Sequence, residues 1–162
     1  MTARHSEHAA RLHRLELIFV RSPIYFVTAC TSRRRKLLAT TAIHQSFAEF
    51  GREGPKHGAW IGAYVLMPDH LHAFVALDDA KITLAQWMKS LKNRLSKTLR
   101  STRAAAPRCQ KAFFDHVLRS AESDTEKWHY VRENPVRAGL VSHWREWPFR
   151  GEIFALEYRS EY

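Results

Sequence analysis

His70, Leu71 and His72 form a histidine–hydrophobe–histidine triplet. Residues two apart on an extended strand point to one face, so both imidazoles can reach a single divalent cation. Leu71, Ala73, Val75 and Leu77 then make the opposite face wholly apolar, suited to packing beneath a helix. Spacing alone does not decide the matter, because ten histidines in 162 residues yield such a pair by chance often enough. Tyr130 and Asn134 make a second constellation, four apart on a helical stretch and therefore on one face. A phenol and an amide oxygen in that relation can serve as nucleophile and third metal ligand. Equally, they can form the edge of an ordinary amphipathic helix whose Trp128 and Val131 face the core. No Gly-rich phosphate loop, nucleophile-elbow serine or Cys-x-x-Cys pair occurs. His116, His129 and His143 lack metal-like spacing and read as surface or structural residues. Trp144 and Trp147 read as satellite core, with base stacking as the alternative.

These side chains need elements to hold them. Ile24 to Cys30 is β-branched and aromatic and predicts a strand, followed by a basic loop at Arg33-Arg34-Arg35-Lys36. Ile43, Phe47 and Phe50 fall at helical spacing after a candidate N-cap at Thr41, with Gly51 or Gly54 as the stop. Trp60–Met67 and His70–Leu77 read as an antiparallel hairpin turned at Pro68-Asp69. Thr83 and Gln86 form a capping box ahead of the clearest helix, 84–100, with Leu84, Trp87, Met88, Leu91, Leu95 and Leu99 on one stripe. A loop at 101–108 and one or two short strands over Gln110–Leu118 follow. Ser123 with Glu126 repeats the capping box and opens a helix expected to reach Asn134, where Pro135 stops it. Gly139 marks a turn, and Ile153–Leu156 reads as a terminal strand. Strand–helix–strand–strand–helix–strand order predicts an α+β fold, an antiparallel sheet with helices packed on it.

Charge gives the third signal. Twenty-six Lys and Arg against sixteen Asp and Glu leave a net +10. The excess is concentrated: residues 1–37 carry +6, 81–111 carry nine bases and no acid, and 38–80 are net −3. Such stripes are the footprint of phosphate binding, with a solvated surface as the bland reading of either run. The two basic blocks are expected to grip a polyanion on either side of the histidine hairpin. Two cysteines exclude a disulfide scaffold and predict a reduced, cytoplasmic setting. No apolar run approaches the ~20 residues of a membrane span. Residues 22–150 are expected to form one domain, with a polar N-terminal extension (1–21), poorly ordered at its start, and a C-terminal tail (151–162).

Together these blocks resemble a known family. Tyr64-Val65-Leu66-Met67-Pro68-Asp69-His70-Leu71-His72 resembles the His-hydrophobe-His (HUH) block of single-tyrosine transposases, and Trp128 to Val141, with its Tyr-x-x-x-Asn-Pro-x-x-Ala-Gly-Leu pattern, resembles their tyrosine block. The wording is closest to the REP-associated tyrosine transposase branch. The basic helix and Phe114-Asp115-His116 also fit. The resemblance implies a ferredoxin-like sheet, the palm of HUH nucleases, and DNA nicking and joining on single strands. By position it implies His70, His72 and Asn134 as ligands of Mg²⁺ or Mn²⁺ and Tyr130 as the nucleophile. Two imidazoles and an amide suit Mn²⁺ better, while substrate phosphate and water would also serve Mg²⁺. Arg33, Arg34, Arg35 and Lys36, with Lys89, Lys92, Lys97 and Arg100, are then the expected clamp on single-stranded or hairpin DNA. The chain is expected to act as a monomer or a homodimer. Two other readings compete: a domesticated hairpin-binding module without chemistry, and a metal phosphoesterase whose histidines activate water.

Overall fold

The computed structural model describes residues 24–102, 113–119 and 124–156. Its elements are β1 (Ile24–Thr31), α1 (Thr41–Glu53), β2 (Ala59–Leu66), β3 (His70–Leu77), α2 (Leu84–Ser101), β4 (Phe113–Arg119), α3 (Asp124–Arg132), the single turn α4 (Asn134–Arg137) and β5 (Arg150–Glu152). The strands form one sheet in the order β4-β1-β3-β2-β5, with every pairing antiparallel. With α1 and α2 as crossovers, the first four strands make the expected ferredoxin-like α+β arrangement, and β5 extends it along β2. Among the described residues no helix is long and apolar enough to cross a membrane.

Alternation along β3 sorts the molecule into two cores. Leu71, Ala73, Val75 and Leu77 are buried with Ile43 and Phe47 of α1 and with Trp87, Met88, Leu91, Leu95 and Leu99 of α2. Each large side chain among them contributes ~1.5–3 kcal/mol through burial. The other face of β3 presents His70, His72, Phe74 and Ala76. There Phe74 and Ala76 join Phe26, Val65, Met67, Val131, Trp147 and Leu156 in a smaller core, with Trp128 packed against it. The helix over 84–101 carries its capping box as expected: Thr83 Oγ1 accepts from Gln86 N–H, and the Gln86 side chain accepts from Thr83 N–H.

Local chemistry moves several boundaries. Thr40, rather than Thr41, caps α1, its extended backbone letting Oγ1 accept from Ile43 N–H. Of the two expected stops Gly54 caps the end of α1 and Gly51 lies inside it, and the chain then runs through Gly54–His57 to Gly58, whose φ of 80° suits glycine. α3 ends at Arg132 rather than Asn134, because Pro135 has no N–H to return to Val131. Asn134 therefore opens α4. That turn closes with Leu140 N–H on Pro135 O and Gly139 N–H on Val136 O, a Schellman motif that needs the positive φ of Gly139. The last strand is Arg150–Glu152, not Ile153–Leu156. Ile153 and Phe154 still bond Gly62 and Ile61, but the chain there lies across the β2 bulge, where Leu156 occupies the space a Cβ on Gly62 would fill. The expected state of residues 1–21, the loop beyond Thr102 and the Ser123 cap fall outside the described residues.

Candidate functional site

The hairpin presents His70 and His72 as neighbours, with ring centroids 4.9 Å apart in a T-shaped arrangement. Each ring is tied through Nδ1. His70 Nδ1 lies 2.7 Å from Asp69 Oδ1, and His72 Nδ1 lies 2.8 Å from Thr28 Oγ1. In the neutral tautomers that carry the proton on Nδ1, both Nε2 atoms present lone pairs, and neither bonds a described side chain. Imidazoles that ligate metals are held in this way, the second nitrogen fixed by a carboxylate or hydroxyl partner. The register explains the partners, since Thr28 of β1 stands opposite His72.

Electrostatics favour a neutral ring at His72. Burial against Phe26, which stacks on the ring at 5.3 Å, lowers its pKa to about 3, with further depression from the charges of His70, Arg137 and Arg34. At Asp69, burial works to raise the pKa, but the His70 hydrogen bond and the charges of His70 and Arg34 outweigh it and hold the carboxyl below its usual range. Asp69 Oδ2 meets Arg34 Nε at 3.2 Å, so Arg34, Asp69 and His70 form a chain. Backbone bonds seat the basic loop on the hairpin turn: Leu37 and Leu38 N–H both donate to Pro68 O, and Thr31 N–H donates to Asp69 O. Arg33 and Arg34 adopt positive φ (55° and 54°), an uncommon conformation for residues with a Cβ.

The tyrosine element lies over the same face. Trp128 meets Phe74 edge-on at 6.2 Å, and Val131 is buried in the core that Phe74 shares. Tyr130 points outward and is 67% exposed. Asn134 is turned to Arg137, whose Nη2 donates to both the Asn134 amide oxygen and the Tyr130 carbonyl, the latter at 2.7 Å. The Arg137 guanidinium also lies 3.9 Å from the centre of the Tyr130 ring. Tyr130 and Asn134 thus meet through Arg137 across the α3–α4 break, not along one continuous helix. Among the described residues no three His, Cys, Asp or Glu side chains stand together as a metal cluster.

The basic residues divide. Arg33, Arg34, Arg35 and Lys36 lie at the histidine end of the sheet, with Arg34 spent on Asp69 and on Cys30, whose Sγ is 3.0 Å from Nη1. Lys89, Lys97 and Arg100 are exposed and Lys92 half-buried on α2, which covers the opposite face of the sheet. The expected pair of grips flanking the histidines is therefore not one surface. A groove of about 880 Å³ also opens on the α1–α2 side, between Glu53, His57, Trp87, Arg94 and Lys97, away from the histidines. Thr28, Asp69 and Arg137 are functional neighbours that motif reading passed over. Asp69 was signalled by its place directly before His70; the other two are visible only through strand register and the α4 turn. Trp147 is buried as expected, its Nε1 donating to Leu66 O at 3.0 Å, whereas Trp144 stays half-buried beneath arginines.

Comparison with known proteins bears on this geometry. The model of the IS200-like transposase family matches residues 20–133. A REP-associated tyrosine transposase of Escherichia coli K12 is 23% identical, the match covering 81% of this chain and 77% of the relative. A solved REP-associated tyrosine transposase bound to a REP hairpin superposes with a TM-score of 0.51 at 21% identity, covering 86% of this chain and 93% of that one. A candidate transposase of Deinococcus radiodurans gives 0.53 at 17% identity, over 72% and 92%.

Proposed function

The chain belongs to the IS200-like transposase family, and from that premise we propose that it is a metal-dependent enzyme that nicks and rejoins single-stranded DNA through Tyr130. The observation that carries the reading is the histidine pair with both Nδ1 atoms engaged and neither Nε2 bonded to a described side chain, on the sheet face that the Tyr130 helix covers. These donors suit a divalent cation, with His70 and His72 as ligands and Asn134 as the third once its amide oxygen leaves Arg137. When bound, such an ion polarises the scissile phosphodiester and offsets charge on its non-bridging oxygens.

Tyr130 supplies the nucleophile. Its oxygen forms a bond to phosphorus while the bond from phosphorus to the 3′ oxygen breaks, and the phenolic proton ends on the departing 3′-hydroxyl. A 5′-phosphotyrosine conserves the bond energy, so a 3′-hydroxyl can reverse the step and join strands without ATP. The exposure of Tyr130 suits a nucleophile that must meet a strand arriving from solvent. Asp69 and Thr28 orient the imidazoles. Packing of Trp128 and Val131 on Phe74 of the same chain supports a tyrosine acting on its own histidines. The solved relative is bound to a REP hairpin, and a palindromic hairpin with a single-stranded flank is the substrate proposed here. Arg33, Arg35 and Lys36 at the hairpin-turn end of the sheet, with Lys89, Lys92, Lys97 and Arg100 on α2, are assigned to its backbone.

Incubation with a labelled hairpin oligonucleotide and Mn²⁺ tests the reading. A denaturation-resistant protein–DNA adduct is expected, and it should vanish in Tyr130→Phe. No adduct from the unaltered protein excludes the tyrosine chemistry; an adduct surviving in Tyr130→Phe excludes the assigned nucleophile. Hydrolysis without adduct would indicate the phosphoesterase, and salt-sensitive binding with neither would indicate the domesticated module.

A further inference from the structure

Trp144 gathers three guanidinium groups. Arg132 lies 4.7 Å from its ring centre, Arg150 4.8 Å and Arg145 5.1 Å. They arrive from three elements: the last turn of α3, the 3-10 turn Trp144–Glu146 and the edge strand β5. The His143 ring stacks on the same indole at 5.9 Å. Three like charges around one ring repel each other, and among the described residues little neutralises them. The Glu133 carboxylate stands 3.9 Å from Arg132 Nε, beyond hydrogen-bond length, and the Glu146 carboxylate is turned to Ser142 N–H. Arg150 Nη2 donates to the Arg145 carbonyl at 2.9 Å. Yet the Nε atoms of both Arg132 and Arg150 are buried without an acceptor among the described residues. Buried, charged donors left unmatched are costly, and an anion with several oxygens is what they lack.

The cluster is placed to meet the strand. Arg150 pairs with Val65 and Val65 with His72, so all three stand in one row across the site face of the sheet. At a spacing of about 4.8 Å per strand, the Arg150 backbone is about 10 Å from that of His72. Arg132 follows Tyr130 by two residues. Arg94 gives the contrast, since its guanidinium on the opposite layer is shared between Glu49 and Glu53 at 3.4 and 3.3 Å.

We propose that Arg132, Arg145 and Arg150, held in place on Trp144, form a clamp for a DNA phosphate flanking the one that Tyr130 attacks. The clamp rests on the transposase reading and adds to it a backbone contact outside the two basic runs. Stacking on the indole fixes the guanidinium planes before the strand arrives, which favours bidentate contact with phosphate oxygens.

The test uses Tyr130→Phe protein, so that binding is read without turnover, and a hairpin oligonucleotide with a single-stranded flank, between about 0.05 and 0.5 M salt. Removing one cation that neutralises a single-strand phosphate flattens the log K against log salt slope by about 0.7, a loss of roughly fivefold in the salt sensitivity per decade. Arg145→Gln and Arg150→Gln should each show that loss, with melting temperatures kept, and Arg94→Gln, which removes the same charge, should not. Arg145 is exposed, so its variant carries the test if Arg150→Gln fails to fold. Steep salt dependence with slopes unchanged in both clamp variants overturns the clamp and leaves the transposase reading standing. Equal losses in all three variants reduce the effect to net charge and also overturn it. If the parent protein does not bind the hairpin at all, the transposase reading falls and the clamp with it.

Discussion

Along β3, Leu71, Ala73, Val75 and Leu77 are sealed under α1 and α2, while His70 and His72, one residue out of phase, lie on the opposite face, which α3 and the segment around Trp147 cover among the described residues. In the helical layer Arg94 pairs with Glu49 and Glu53 and the half-buried His44 spends Nε2 on the Tyr64 hydroxyl at 2.8 Å, though Trp87 Nε1 is buried without a partner among the described residues. On the other layer two Nε2 atoms and two buried arginine Nε atoms have no partner among the described residues, and Tyr130 is exposed. A strand that alternates in this way lets one face bear the stability while the next residue carries chemistry. His44, like His72, spends one ring nitrogen on a hydroxyl, but its ring packs on Tyr64 and Phe149, whereas His70 and His72 set two imidazoles side by side.

That division can be broken experimentally. Beyond the loss of adduct in Tyr130→Phe, the largest effect is expected from Leu95→Ala in the helical core, about 2–5 kcal/mol of stability, read from urea denaturation. Adduct formed per folded molecule should stay unchanged; a tenfold fall would mean the two layers are not independent. Asp69→Asn should weaken Mn²⁺ binding, measured by calorimetry, about 10–100-fold with little change in melting temperature. An unaltered affinity would make Asp69 an anchor for the basic loop and nothing more. A separate effect concerns pH. The His72 pKa is lowered from 6.5 to about 3 on folding, so between those values the unfolded chain binds a proton that the folded one refuses. Stability of the metal-free protein should be complete above 6.5 and decline as pH falls toward 3, by up to about 1.4 kcal/mol per unit from this group. His72→Gln should remove that component of the slope; a slope unchanged by the substitution would place the responsible group elsewhere.

Much of the fold was legible. The period-2 pattern of the hairpin, the capped 3.6-period stripe of α2 and the element order led directly to the sheet and its main core, because each is a local statement about which side chains share a face. Tyr130 and Asn134 were legible as residues but not as a geometry. Pro135 ends α3 early, at Arg132, and Arg137 returns from α4 to hold both. The two basic runs looked like one device, yet α2 lies across the sheet from the histidines.

By itself, then, the sequence determined the strand that carries His70 and His72, the apolar phase that buries its other face, and the tyrosine block, since these depend on residue type and short spacing. Tertiary structure alone decided that Thr28 and Asp69 hold the imidazoles, that Arg137 joins Tyr130 to Asn134, and that Arg132, Arg145 and Arg150 converge on Trp144. Those contacts arise from strand register and from turns between elements, where no periodic signal records which distant side chains will meet.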